Sequence, residues 1–298
     1  MVMIETEIGS FKLSKNLKRE LDCGIESCQK DDDDYVIVVD GREGAGKSLL
    51  ARQIGHYCMQ RMGKKFSIDN IHFHADPYRQ EAEKHANVKG WVNILDESRS
   101  SLNKRRSMSG GNVGFTDWFS ECRDANQVHI LVLPAMHDLD NAISLWRVNL
   151  IVHVLKYRSL DEKRDSGYKL VRGKYVLFDP KSMQEYIQKQ FRYGRYAYPK
   201  RQPFQFNDFS GFEVLEDIDQ YKAKKKHWRE LKVKKKEKKD KQQIKIYKLA
   251  WCLSHVYNIP PKEWAEKIGV PYSTCTEWGR IGKEQYEERK NTKMVTEE

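Results

Sequence analysis

The sequence predicts an α/β fold: a mostly parallel sheet covered by helices on both faces, followed by a small all-α domain. Three observations predict it. Between residues 35 and 155, short β-prone apolar runs alternate with helical patterns over short connections. The first strand-to-helix junction carries Gly41 and then Gly46-Lys47-Ser48, a Gly-x4-Gly-Lys-Ser spacing. Residues 220–257 contain neither Gly nor Pro, and two short helical patterns hinged on Gly269 come after them.

Residues 1–34 are polar and end in Asp31, Asp32, Asp33 and Asp34, which predicts a short lead-in helix and a solvated acidic turn. Residues 35–39 are all apolar and β-prone, as in a strand buried on both faces. The turn after it is informative chemically. A polyphosphate must be wrapped by backbone N–H groups at close range, and side chains obstruct that wrap. Gly41, Gly44 and Gly46 supply room and positive φ, while Ala45 and Leu49 complete the phosphate-binding run. Lys47 reaches the β- and γ-phosphates and Ser48 offers a hydroxyl to Mg2+. Leu50, Ile54, Cys58 and Met62 fall four apart on one helical face that Gly63 ends, and this helix points its N-terminal dipole at the phosphates. The pattern predicts binding of ATP with Mg2+.

Residues 67–75 read as a second strand that places His72 and His74 on one face; without a third ligand they read as structural. A polar helix over 77–85 follows, then an apolar strand over 91–97 ending in two acids. A P-loop needs a carboxylate at a strand tip to hold Mg2+ opposite Ser48, so Asp96 is the expected metal-side residue. Glu97 is the expected base that orients and deprotonates water. An intervening strand with a glutamate beside the metal acid favours a hydrolase over a nucleotide kinase, by fold analogy. The basic, Ser/Gly-rich run 99–111 reads as a solvated loop, or as one that lines the γ-phosphate, faces DNA or supplies an arginine finger to a neighbouring subunit, with Arg105 and Arg106 first and Arg123 second.

A helix over 115–126, a strand over 128–132 and a strand over 149–155 complete the alternation, with Asp138 as N-cap of the intervening helix. Residues 168–178 read as a hairpin turning at Arg172 and Gly173. Residues 191–198 interleave aromatics with arginines, as an edge strand does or as a single-strand clamp does. Residues 199–217 read as a linker. The expected boundaries are a P-loop domain at 1–205, a linker and Lys-rich helix at 206–248, and a terminal domain at 249–298.

Charge singles out one segment. The chain carries 54 basic and 43 acidic residues, net +11, and residues 222–248 alone hold 14 basic against 3 acidic. The whole excess therefore sits in one Lys-rich helix, and a localised block of that kind points to a polyanion. The expected DNA-facing lysines are Lys224, Lys225, Lys226, Lys234, Lys235 and Lys236; a solubilising spacer is the bland alternative. In the last module Trp264, Ile268, Val270, Cys275 and Trp278 fall where a helix-turn-helix buries its core, with residues 272–280 as recognition helix. Ser273, Thr274, Thr276 and Arg280 are its outward candidates, and a small helical cap or dimerisation module is the alternative.

The runs Leu102-Asn-Lys-Arg-Arg-Ser-Met-Ser109 and Leu133-Pro-Ala-Met-His-Asp-Leu-Asp140, together with the P-loop, Leu95-Asp-Glu, Ile151-Val-His-Val154 and Arg172-Gly-Lys-Tyr175, are specific enough for a family comparison. Over about residues 35–225 the chain resembles the zonular-occludens-toxin-like P-loop ATPases of archaeal viruses, phages and plasmids, related to FtsK/HerA-type DNA translocases. The resemblance implies a RecA-like core assembling into rings, with Lys47, Ser48, Asp96 and Glu97 in the roles given above. Two departures stand out. Filamentous-phage toxin relatives carry a membrane helix, which is absent here, and the C-terminal module is not part of the shared core.

No apolar run approaches the roughly 20 residues of a membrane span, no signal-peptide layout opens the chain, and the six scattered cysteines read as reduced thiols. The expectation is a cytoplasmic, Mg2+-dependent, DNA-binding ATPase of a virus or mobile element. It works as a homo-oligomeric ring, a hexamer among the options, in translocation, packaging or remodelling. An ATP-switched DNA-recognition, replication or partitioning factor is the second reading and a nucleotide kinase the third.

Overall fold

The chain opens with a hairpin that its sequence does not announce. A computed structural model describes residues 1–96, 110–161, 163–178 and 207–296. In it β1 (Val2–Thr6) pairs antiparallel with β2 (Gly9–Leu13), burying Ile4, Phe11 and Leu13. Charged neighbours mask this alternation, and the lead-in helix is only part of the segment. That helix, α1 (Lys15–Lys30), starts where the Ser14 hydroxyl accepts the Leu17 amide at 3.1 Å, and it buries Leu17, Leu21, Ile25 and Cys28 along one face.

The strand β3 (Tyr35–Gly41) is buried at every position, as a run of apolar residues without alternation requires. After it come α2 (Lys47–Arg61), β4 (Ile71–His72), α3 (Ala75–Lys84) and β5 (Val92–Asp96). Then follow α4 (Gly110–Glu121), β6 (Val128–Val132), α5 (Asn141–Trp146), β7 (Leu150–Leu160), β8 (Tyr168–Phe178) and β9 (Asn207–Asp208). Among the described residues the sheet has seven strands in the order β4-β5-β6-β3-β7-β8-β9. The first five are parallel; β8 and β9 add antiparallel at one side. Both faces are covered. Val36, Val38, Leu95 and Leu131 pack with Tyr78, Phe115, Phe119 and Ile143 from α3, α4 and α5. The opposite face takes α1 and α2, where Gly55 comes so close to Ile94 that a Cβ would sit 2.9 Å from its Cδ1.

Several expectations are corrected. Residues 67–75 are not one strand: Ser67 and Asn70 form a capping box around a 3-10 turn, which leaves only Ile71–His72 extended. His74 N-caps α3 through the Asp76 amide, whereas His72 is buried edge-on to Tyr78, so the two histidines do separate jobs. Asp138 ends the 3-10 turn Met136–Asp138 instead of capping α5. Residues 168–178 do not turn at Gly173. They form one strand against β7, and the turn residues described before it are 163–167. The pairs Leu155 with Lys174 and Tyr157 with Val171 leave Arg172 and Gly173 facing Lys156, a bulge that Gly173 absorbs with φ 81°. Residues 191–198 lie outside the described residues.

The chain divides into two compact units, Met1–Lys225 and Lys226–Glu298. The stretch 207–225, expected to be linker and solvated helix, belongs to the first: Phe209, Val214, Leu215 and Tyr221 are buried there. The Lys-rich run forms α6 (Ile218–Trp251), continued by a π-turn over Cys252–Val256. The second unit also holds α7 (Pro261–Ile268) and α8 (Tyr272–Thr296), separated by Gly269 at φ 65°. Ala250, Trp264, Ala265 and Cys275 are its core, packed by Leu253, Ile259, Val270 and Trp278. Ile268, expected inside, is 52% exposed, and α8 runs well past residue 280.

Acid sensitivity follows from the first core. Burial pushes the imidazoles of His72 and His129 down to about 3, from an ordinary value of 6.5. A depressed folded value means that the stability these neutral rings contribute is complete above the unfolded pKa and is lost as pH falls toward the folded one, at up to about 1.4 kcal/mol per pH unit for each ring. The melting temperature should therefore fall as pH drops below 6.5. His129→Gln, which keeps a partner for the Tyr78 hydroxyl, should flatten that slope in a pH series of thermal melts.

Candidate nucleotide site

The carboxyl ends of β3, β5 and β7 and the N-terminus of α2 meet at one edge of the sheet, where parallel α/β sheets place ligands. Gly41 closes β3 at φ 136°, and a Cβ there would lie 2.2 Å from the Val154 carbonyl oxygen of β7. Gly44 has φ 69° and Gly46, the N-cap of α2, φ 105°. A Cβ on Gly46 would reach within 2.9 Å of the Phe209 ring, and Ala45 between them is buried. The loop thus has the bare, left-handed backbone that a phosphate wrap requires. Leu49 lies in the first turn of α2 beside Lys47 and Ser48.

Two ammonium groups rest on three consecutive loop carbonyls. Lys47 Nζ donates to Gly41 O at 2.6 Å and to Arg42 O at 3.0 Å, and Lys156 Nζ, from the part of β7 opposite the β8 bulge, donates to Glu43 O at 2.7 Å. Burial lowers the pKa of Lys47, while Asp40, Glu43 and Asp96 oppose that shift. Behind the loop, Asp40 is buried between His153 Nδ1 at 2.8 Å and the Met136 amide at 3.1 Å, which ties β3 to β7 and to the turn after β6.

Asp96 stands at the tip of β5, 2% exposed. Its Oδ1 accepts the Ser48 hydroxyl at 2.9 Å; its Oδ2 accepts the Tyr221 hydroxyl at 2.6 Å and Lys225 Nζ at 2.8 Å. Burial works against ionisation, yet the Lys225 charge and these hydrogen bonds hold the carboxyl below its ordinary pKa. Tyr221 is fixed in turn: the Arg52 guanidinium lies 4.3 Å from its ring centroid and forms a two-pronged pair with Glu213. Gln53 donates to the carbonyls of Ser210 and Phe212, so α2 anchors the whole 207–225 stretch.

The serine hydroxyl and an ionised carboxylate, adjacent at a helix N-terminus, form an all-oxygen donor pair that fits Mg2+. A second cluster, Asp34, Cys122 and His129, has ligand atoms within 4.8 Å of one another. Arg147 already pairs with Asp34 and reaches the Cys122 sulfur, which makes that cluster a cation-filled part of the core.

The sequence-derived candidates separate clearly. Gly41, Gly44, Ala45, Gly46, Lys47, Ser48, Leu49 and Asp96 come together. Glu97, Arg105 and Arg106 lie outside the described residues. Of the lysines expected to face DNA, Lys226, Lys234 and Lys236 are exposed, whereas Lys224 donates to Ile68 O at 2.9 Å and Lys225 is engaged by Asp96. The side chain of Lys235 is outside the description. On α8, Ser273, Thr276 and Arg280 are exposed and Thr274 half-buried; Thr276 Oγ1 donates to Tyr272 O at 3.0 Å, and Arg280 pairs with Glu284. Tyr221, Lys156 and Arg52 were missed, and Lys225, expected to face DNA, pairs with Asp96 instead. The i,i+4 spacing of Tyr221 and Lys225 puts both on one helical face, but no sequence signal says which lysine of a long run meets a carboxylate.

No protein-family model matches the chain, and no curated protein matches it. Solved structures do. The genome-packaging NTPase B204 of Sulfolobus turreted icosahedral virus 2, in complex with ATP-gammaS, is 14% identical at a TM-score of 0.33, covering 52% of this chain and 95% of that one. B204 of Sulfolobus turreted icosahedral virus, described as a DNA-packaging ATPase, is 15% identical at 0.32, covering 51% and 94%. The N-terminal domain of zonular occludens toxin from Neisseria meningitidis is 12% identical at 0.30, covering 49% and 84%.

Gly41 offers a direct test of the loop. Gly41→Ala forces a left-handed residue against the Val154 carbonyl, so a loss of about 2 kcal/mol or more is expected by chemical denaturation, with nucleotide binding lost as well.

Proposed function

We propose that this chain is an Mg2+-dependent ATPase that acts on DNA in the genome handling of a virus or mobile element. The observation that carries the reading is the convergence of a glycine-lined loop, Lys47, Ser48 and the buried Asp96 at the ligand-binding edge of a parallel sheet. Loop amides and the α2 dipole receive the triphosphate, and Lys47 exchanges the carbonyls of Gly41 and Arg42 for the β- and γ-phosphates. Ser48 and Asp96 would hold Mg2+, which would supply charge neutralisation at the transferring phosphoryl group. Glu97 orients and deprotonates the attacking water. Arg105 or Arg106 supplies a finger to a neighbouring subunit of a homo-oligomeric ring, a role that can contribute about 10³–10⁵ in rate.

DNA is the proposed polyanion. Support comes from the exposed lysines of α6, among them Lys226, Lys234 and Lys236, and from Ser273, Thr274, Thr276 and Arg280 on α8, read as the recognition helix of a helix-turn-helix. The small Trp264–Cys275 core beneath those residues favours a second reading, an ATP-switched DNA-recognition, replication or partitioning factor without translocation. Directional displacement of a DNA-bound block, present for a motor and absent for a switch, separates the two.

Turnover of ATP with and without double-stranded DNA is the primary test, with stimulation expected and indifference to DNA counting against the reading. Lys47→Ala should abolish nucleotide binding in calorimetry. Glu97→Gln should bind ATP and stall; wild-type turnover would remove Glu97 from the role. Removing residues 226–298 should leave nucleotide binding and sharply weaken DNA binding. In the intact chain DNA affinity should fall with salt at a slope of about −0.9 per phosphate neutralised.

A further inference from the structure

The ammonium of Lys225 competes for the carboxylate that a divalent metal would use. Lys225 Nζ lies 2.8 Å from Asp96 Oδ2, and Ser48 hydrogen-bonds Oδ1 of the same group. The contact is built into the core: Lys225 and Asp96 are 19% and 3% exposed as side chains. Lys225 also stands 5.5 Å from the Phe73 ring centroid and 5.6 Å from that of Tyr221. A primary ammonium and a divalent cation on one carboxylate repel each other at short range in a low-dielectric pocket. Only one of them can be well placed there.

We propose that Lys225 is a tethered competitor of the metal at Asp96, so that loading of metal and nucleotide releases the start of α6, residues 218–225, from the core. The inference rests on the nucleotide-site reading above and adds a control that the phosphate loop itself does not contain. Tyr221, one turn earlier, is bonded to the same Asp96 oxygen, so a metal that takes that oxygen displaces both side chains by which this turn is fastened to β5. The next residue, Lys226, begins the second compact unit and the exposed part of the Lys-rich run. Occupancy of one carboxylate therefore decides whether the root of the basic helix is fastened.

The test is binding, not turnover. Full-length wild type and Lys225→Met are titrated with Mg2+ at fixed fluorescent ATP analogue. The variant should need about ten-fold less Mg2+ for half-saturation, the shift expected when the fastened form holds about nine-tenths of the wild-type population. Lys225→Arg, which keeps the charge, should restore the high requirement. Equal midpoints in wild type and Lys225→Met overturn the proposal. Wild type that binds no nucleotide at any Mg2+ concentration overturns the site reading instead. Should Lys225→Met fail to fold, limited trypsin digestion of wild type reads the same event. Cleavage after Lys222, Lys224 and Lys225 should rise several-fold with Mg2+ and ATP-gammaS together, and an unchanged rate overturns the release.

Discussion

A charged carboxylate that is almost fully buried must be surrounded by donors, because removing it from water without them is prohibitive. Asp96 imposes that condition on the first unit. Its partners come from the phosphate-loop helix through Ser48 and from the start of α6 through Tyr221 and Lys225, each within 3 Å. Two elements far apart in sequence are thereby fixed against the tip of β5. Arg52 extends the arrangement, since a buried guanidinium paired with Glu213 holds the stretch that delivers Tyr221. Of these contacts only that of Lys225 balances the charge; Ser48 and Tyr221 fill the remaining acceptor sites.

The sheet makes that edge available. β3 lies between β6 and β7, and its carboxyl end carries the glycine loop directly into the N-terminus of α2. The main chain of β7 presses on Gly41 from one side, and the buried Asp40, bonded to His153 and to the Met136 amide, stops β3 from sliding. The antiparallel addition of β8 has a local effect as well. Its bulge at Arg172 and Gly173 lies opposite Lys156, whose ammonium rests on the loop at Glu43.

Legibility in the sequence followed the range of the interactions. The bare turn from β3 into α2 was readable because its glycine spacing is a local pattern encoded in eight consecutive positions. The buried strand 35–39 was readable from an unbroken apolar run, 128–132 from one interrupted only by His129, and the position of Asp96 from the end of an apolar run. The N-terminal hairpin was not, because only Ile4, Phe11 and Leu13 mark its inner face among charged neighbours. The turn between β7 and β8 was misplaced because Arg172 and Gly173 form a bulge, and a glycine with positive φ serves a bulge as well as a turn. Tyr221 and Lys225 were hidden for a different reason: their partner is more than a hundred residues away, and periodicity carries no information about it.

The composition of α6 has a mechanical consequence. Lys232 with Lys236 and Lys234 with Lys238 fall one turn apart, so like charges face each other along the helix. Counterions relieve that repulsion within a screening length of about 8 Å at physiological ionic strength. The helicity of this run is therefore a property of its surroundings, weakest in dilute buffer and firmer wherever mobile or fixed anions offset the lysines.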